Sequence, residues 1–300
     1  MTPVDLARPP AHPQRLAYLG TPDVAVPPLR ALVAAGHDIA LVVSRPDRRR
    51  GRGGALSPSP VKAAALELGL SVTDDLDAVL EAGVDLGVVV AYGRLIPTRI
   101  LERVPMVNLH FSLLPRWRGA APVERALLAG DAETGVCLMD VDVELDTGAV
   151  HAVERTAIGA DDTLASLRGR LVDIGSSMLV DTLRDGFTTP TPQRGEMTHA
   201  AKIDPDELHI DWTRSAVEID RLIRLGGAWT QFRGRRLKVH AASLDATAQS
   251  GEPGAIDGVV VSCGVGALVL REVQPEGRSR QDADAWRNGA RPDVGERFDA

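Results

Sequence analysis

Apolar residues in this chain come in short runs, and the polar stretches between them decide what each run is. Arg15 to Leu19, Ile39 to Val43, Leu86 to Ala91 and Val107 to His110 are brief blocks rich in Val, Leu and Ala. They are too short for helices and read as buried strands. Between the first two, Val26, Leu29 and Leu32 recur at helical spacing up to Gly36, and Asp23 can cap that helix. This strand–helix–strand rhythm predicts a parallel sheet. Further helices are expected from Val61 past Leu66 and Leu68, at Leu76 to Leu80, from Leu95-Ile96-Pro97 and at Ala120 to Leu128. A long one should start at Asp162 or Thr163, because Leu164, Leu167, Leu171, Ile174, Met178, Leu179 and Leu183 share one face. Thr134 to Val141 and Val150 to Ala157 read as a strand and its return.

Beyond Gly186 the periodicity fails, with Pro190, Pro192, Gly195 and Pro205 in a polar stretch, which predicts a linker. Short β-like runs follow at Trp229 to Phe232, Arg236 to Ser243, Gly258 to Val261 and Ala267 to Val273, after a helix near Ser215 to Leu225. They predict a small β-barrel, of which the oligonucleotide-binding topology is one form. The expected organisation is a flexible tail at 1–14, an α/β domain at 15–189, a linker at 190–206 and a barrel at 207–300.

Composition narrows the picture. Three hundred residues suit two domains, and with aromatics at 3% the cores must be aliphatic. A net charge of −7 argues against indiscriminate coating of nucleic acid. Within that acidic chain, however, Arg45, Arg48, Arg49, Arg50 and Arg52 crowd into the loop Ser44 to Pro60 around a lone Asp47. A second basic set is Arg221, Arg224, Arg233, Arg235, Arg236 and Lys238. Each set is either a solvated face or an arm for phosphates. Cys137 and Cys263 have no metal-ligand spacing and suggest no disulfide framework, which fits a reducing cytoplasm. The first fourteen residues lack the apolar core of a leader, and no apolar run approaches a membrane span.

No G-x-G-x-x-G follows the first strand and no Walker lysine follows Gly20, so nucleotide binding at that turn is disfavoured. Candidate chemistry lies instead where strands run out, the place where open α/β sheets bind ligands. Asn108 and His110 alternate with Leu109 and therefore face the same way. They are a satisfied polar pair or a hydrogen-bond donor beside a proton carrier. Asp146 sits in Glu144-Leu145-Asp146-Thr147-Gly148, where it is a turn-former or a third partner. Ala91-Tyr92-Gly93 ends the neighbouring strand and should border the same crevice.

Several stretches follow one another along the chain: Leu19-Gly20-Thr21-Pro22 with Ala25-Val26-Pro27, Pro46-Asp47-Arg48 with Gly51-Arg52-Gly53, Ser57 to Lys62, Ala91-Tyr92-Gly93, Asn108 to Pro122, and Leu145 to Gly148. On these residues and their order the chain resembles the folate-dependent formyltransferases. The resemblance implies a Rossmann-like catalytic domain followed by an OB-like barrel. It implies transfer of the formyl group of 10-formyltetrahydrofolate to the α-amine of initiator methionyl-tRNA, by a cytoplasmic monomer that needs no metal. It assigns catalysis to Asn108, His110 and Asp146, and folate binding to Ser112, Leu113, Leu114, Pro115, Tyr92 and Gly93. It assigns tRNA contact to Arg52, Arg48, Arg235 and Lys238. Enzymes that formylate amino sugars or glycinamide ribonucleotide share the Asn-x-His core, and an RNA-binding protein with an idle site is a rival of another class.

Overall fold

The computed structural model describes residues 6–50, 54–245, 251–293 and 295–299 and resolves the chain into two compact units. The first comprises Met1–Val123, Glu133–Ala157 and Leu167–Ala201; the second comprises Glu124–Ala132, Ile158–Ser166 and Lys202–Ala300.

In chain order, the strands and helices from β1 to β11 are β1 (Arg15–Gly20), α1 (Val26–Ala34), β2 (Asp38–Val43), β3 (Arg48–Arg50), β4 (Ala55–Ser57), α2 (Pro60–Glu67), β5 (Val72–Thr73), β6 (Leu86–Val90), α3 (Thr98–Leu101), β7 (Met106–His110), β8 (Arg118–Gly119), α4 (Pro122–Ala129), β9 (Glu133–Asp140), β10 (Val150–Ala157), α5 (Leu164–Asp185) and β11 (His199–Ala200). Seven strands form one sheet in the order β10-β9-β7-β6-β1-β2-β5. The five from β5 to β7 run parallel, while β9 and β10 extend the edge antiparallel. All five residues of β6 are buried, as a central parallel strand covered on both faces requires. β7 lies between β6 and β9, so its polar residues are held from both sides.

Local differences from the sequence reading have physical causes. Asp77–Leu80 is a single 3-10 turn, and α3 starts at Thr98 because Pro97 holds an extended backbone. Asp23 makes no side-chain cap; it opens a short 3-10 turn ahead of α1. The expected loop after β2 carries its own hairpin, β3 with β4. Its base is fixed by Ser59, whose hydroxyl caps α2 by accepting from the Lys62 amide at 3.0 Å and bonds Ser44 at 2.5 Å. Arg52 lies outside the described residues.

Two segments expected to be free chain are tied down. In the stretch before β1, the Ala7 amide donates to the Leu101 carbonyl at 2.9 Å and the Ala11 carbonyl accepts from the Phe187 amide at 2.8 Å. Within 190–206, Thr191 exchanges backbone hydrogen bonds with Val150, and β11 pairs with β8. Both segments are held through backbone groups, which leave no hydrophobic signature in sequence.

The second unit adds α6 (Ala216–Leu225), β12 (Trp229–Phe232), β13 (Arg235–Asp245), β14 (Ile256–Asp257), β15 (Val260–Ser262), β16 (Ala267–Pro275), β17 (Gln281–Asp282) and α7 (Ala283–Ala290). The antiparallel order is β12-β13-β16-β15-β14, with β17 beside β16. Residues 296–299 join its two edges. Ile256 donates to the Glu296 carbonyl and Phe298 to that of Gly254, both at 3.0 Å, while Asp299 donates to the Gln231 carbonyl in β12 at 2.9 Å. The sheet is thereby closed into the expected barrel.

Trp286, 5% exposed, stacks on Phe298 with ring centroids 5.9 Å apart and meets Phe232 edge-on at 5.2 Å. Trp286→Ala should cost about 3–5 kcal/mol of stability through the cavity it leaves. Denaturant unfolding of the full chain followed by circular dichroism checks this, and an unchanged midpoint would remove the cluster as a source of stability.

Candidate active site

β7 supplies the first two groups. Val107 and Leu109 are buried while Asn108 and His110 alternate to the other face. Across the sheet Asn108 pairs with Val89 and Met139, and His110 with Cys137. The third group comes from the turn between β9 and β10. Asp146 adopts a left-handed backbone (φ 54°), a conformation Asp tolerates better than most side chains. Two residues later a Cβ on Gly148 would run into the Asp140 carbonyl, so only glycine lets the turn close against β9.

The three side chains converge. Asn108 Nδ2 donates to Asp146 Oδ1 at 3.5 Å, and His110 Nδ1 stands 3.6 Å from Asp146 Oδ2. The second separation is longer than a hydrogen bond. On the far edge of the ring, His110 Nε2–H donates to the Trp117 carbonyl at 2.9 Å. The Gly119 amide donates to Asp146 Oδ2 at 2.8 Å. His110 and Asp146 side chains are only 6% and 9% exposed, so charge interactions between them are screened little by water.

This cluster lies in a cleft of about 580 Å³, within the usual range for small-molecule sites. Its walls are the ends of β6 and β7, the segment Ala91 to Ile96, Gly119 to Pro122, and the turn from Val141 to Asp146. Leu95 is 73% exposed and Leu145 53%, giving the mouth an apolar rim. Tyr92 is 2% exposed, with its hydroxyl buried. Burial pushes its phenol above the ordinary value, against an opposing pull from Arg94 and Arg45. Burial also pushes up the Cys137 thiol, so this neighbour of His110 is not poised as a thiolate nucleophile.

Of the residues expected at a ligand, Tyr92 and Gly93 line the cleft and Ser112 to Pro115 do not. After His110 the chain bends away: the Ser112 hydroxyl is buried and donates to the Arg116 carbonyl at 2.6 Å, and the Arg116 amide donates back to Leu113. These four residues lie in the bend and turn that follow β7, and the Thr198 amide donates to the Pro115 carbonyl at 3.4 Å. Sequence reasoning missed Gly119, Gln193 and Thr198. Gln193 bonds both Arg118 and the Asp146 turn, and Thr198 Oγ1 accepts from the Trp117 amide at 2.8 Å. Gly119 stands inside the Asn108 to Pro122 motif; the other two carry no signal in a stretch without periodicity.

Arg48 is exposed on β3 and Arg235 exposed at the head of β13. Lys238 is exposed across from Trp229, and Arg236, on the same strand face, lies 3.8 Å over the Trp229 ring. The structure therefore brings Arg236, not Arg235, alongside Lys238.

The family model described as formyl transferase matches residues 14–183, and its C-terminal domain model matches residues 202–291. A methionyl-tRNA formyltransferase of Ruegeria pomeroyi is 45% identical over 293 residues, covering 92% of this chain and 97% of that one. The protein of the same name from Paracoccus denitrificans is 46% identical, covering 93% and 99%. Among solved structures, HypX from Aquifex aeolicus in complex with tetrahydrofolic acid aligns with a TM-score of 0.65 at 16% identity, over 95% of this chain and 49% of that one. An N-formyltransferase from Helicobacter canadensis, solved with folinic acid and dTDP-3-aminofucose, also scores 0.65 at 16% identity, over 85% and 98%. At that identity the two structures speak for the fold.

Proposed function

The chain belongs to the formyl transferase family, and on that premise we propose that it transfers the formyl group of 10-formyltetrahydrofolate to the α-amine of initiator methionyl-tRNA. The observation that carries this reading is the meeting of an amide donor, an imidazole and a buried carboxylate at one end of a ligand-sized cleft.

Formyl transfer to an amine is acyl transfer. Negative charge collects on the formyl oxygen as the amine adds, a proton must leave the amine, and one must reach the departing folate nitrogen. Asn108 Nδ2 donates to the developing oxyanion, with His110 beside it. His110 also moves the proton, and Asp146 orients the ring and relays protons through water. None of these steps requires a covalent bond to the protein. The pterin occupies the cleft beside Tyr92 and Gly93, both of which line it.

Initiator tRNA is the large substrate in this reading, held through phosphate contacts from Arg48, Arg52 and Lys238. Arg235 is exposed at the head of the same strand and belongs to that set, and Arg236 joins Lys238 on one face of it. We read the protein as a cytoplasmic monomer. Among the described residues no helix is long and apolar enough to cross a membrane.

Purified protein given formyl folate should formylate methionyl-tRNA, read as formylmethionyl-tRNA by chromatography. Formylation of an amino sugar nucleotide or glycinamide ribonucleotide with methionyl-tRNA untouched would overturn the assignment. Arg236→Ala with Lys238→Ala should raise KM for tRNA and flatten its salt dependence by about one logarithmic unit of slope for each phosphate no longer neutralised. An unchanged KM from low to high salt would remove this face from tRNA binding.

A further inference from the structure

Gln193 lies in the aperiodic stretch after α5, within the same unit as the cleft. Its amide uses its full hydrogen-bonding capacity. Nε2 donates to the backbone carbonyls of Asp146 and Gly148, both at 2.9 Å, and Oε1 accepts from Arg118 Nε at 3.0 Å and Nη2 at 2.6 Å. Reversing the amide would set NH₂ against a guanidinium and oxygen against two carbonyls, so the partners themselves fix its orientation.

The two sides of this amide hold two different supports of the Asp146 carboxylate. One is the left-handed backbone of Asp146 and the Gly148 turn beside it. The other is Arg118, whose chain neighbour Gly119 donates the 2.8 Å bond to Asp146 Oδ2. Gly119 itself sits at φ 123°, where a Cβ would approach the Ala200 carbonyl to 2.8 Å. The donor and the acceptor of that bond thus reside on separate loops, and Gln193 joins the loops.

Resting on the formyl-transfer reading above, we infer that Gln193 is a positioning residue for the reaction: it fixes where the Asp146 carboxylate stands relative to His110 and Asn108. It is absent from the residues lining the cleft, and it acts through Asp146. Holding a catalytic group to within a fraction of an ångström is what such a support contributes, because a displacement of about 1 Å can cost on the order of a hundredfold in rate.

The test is a double-mutant cycle in single-turnover formylation of methionyl-tRNA with enzyme in excess. Gln193→Met should lower the rate about 10- to 100-fold, with KM for tRNA and for formyl folate within about threefold of the parent. Gln193→Glu, which retains the partner of Arg118 but cannot donate to the two carbonyls, should do the same if the Met variant does not fold. In an Asp146→Asn background either substitution should change the rate by less than about twofold. An equal loss in both backgrounds, or none in the parent, overturns the inference. A parent protein that fails to formylate methionyl-tRNA overturns the function proposed above.

Discussion

His110→Ala should lower the rate of formyl transfer about 10³-fold in a variant that still folds. General acid–base groups contribute roughly 10²–10⁴-fold, and at about 1.4 kcal/mol per factor of ten the expected loss is about 4 kcal/mol of transition-state stabilisation. The size follows from where the ring sits: 5% exposed, held on one edge by the Trp117 carbonyl and facing Asp146 on the other. Few waters can reach that position to substitute for it. Truncation also takes the His110 donor from the Trp117 carbonyl, a structural cost of about 1–3 kcal/mol that must be measured alongside the rate. Single-turnover formylation paired with circular dichroism separates the two effects. A folded variant with near-parental turnover would refute the assignment of His110.

Asn108→Ala is expected to lower kcat by about 10²–10³-fold, the usual cost of losing one oxyanion donor, while KM for formyl folate changes little. The reason for that split is that the donor is needed most when the formyl oxygen becomes an anion, and such an interaction raises kcat without tightening ground-state binding. Asn108 is half-buried on a strand hydrogen-bonded on both sides, which limits how far its amide can stray. Steady-state kinetics with varied formyl folate decides the point. A raised KM at unchanged kcat would make Asn108 a folate-binding residue and leave the oxyanion without this donor.

How much of the molecule is legible in sequence varies with the kind of signal involved. β7 can be recognised because an apolar run that ends in Asn108 and His110 must place polar groups where the strand runs out, and β6 because Leu86 to Val90 admits no polar residue. Ser112 to Pro115 are assigned to folate by the resemblance of the Asn108 to Pro122 motif. They form the bend and turn just after His110 and are absent from the lining of the cleft, and side-chain direction after a bend is a property of backbone dihedrals that composition does not encode. Glu144 to Gly148 is a turn by composition, and Leu145 joins the lining of the cleft only once Gly148 packs against Asp140. Gln193 and Thr198 hold the site through hydrogen bonds to backbone atoms. Such contacts have no periodicity, so their stretch reads as linker.

The strip 296–299 that closes the barrel has a consequence for biosynthesis. β12 can pair with β13 as soon as both have left the ribosome, yet the second edge has no cover until residues 296–299 emerge. Pieces of the same unit, Glu124–Ala132 and Ile158–Ser166, are made far earlier and must wait for it. Contacts so distant in sequence form slowly, and an uncovered strand edge is prone to pair with other chains. The C-terminal unit should therefore be the late and vulnerable step in the birth of this protein.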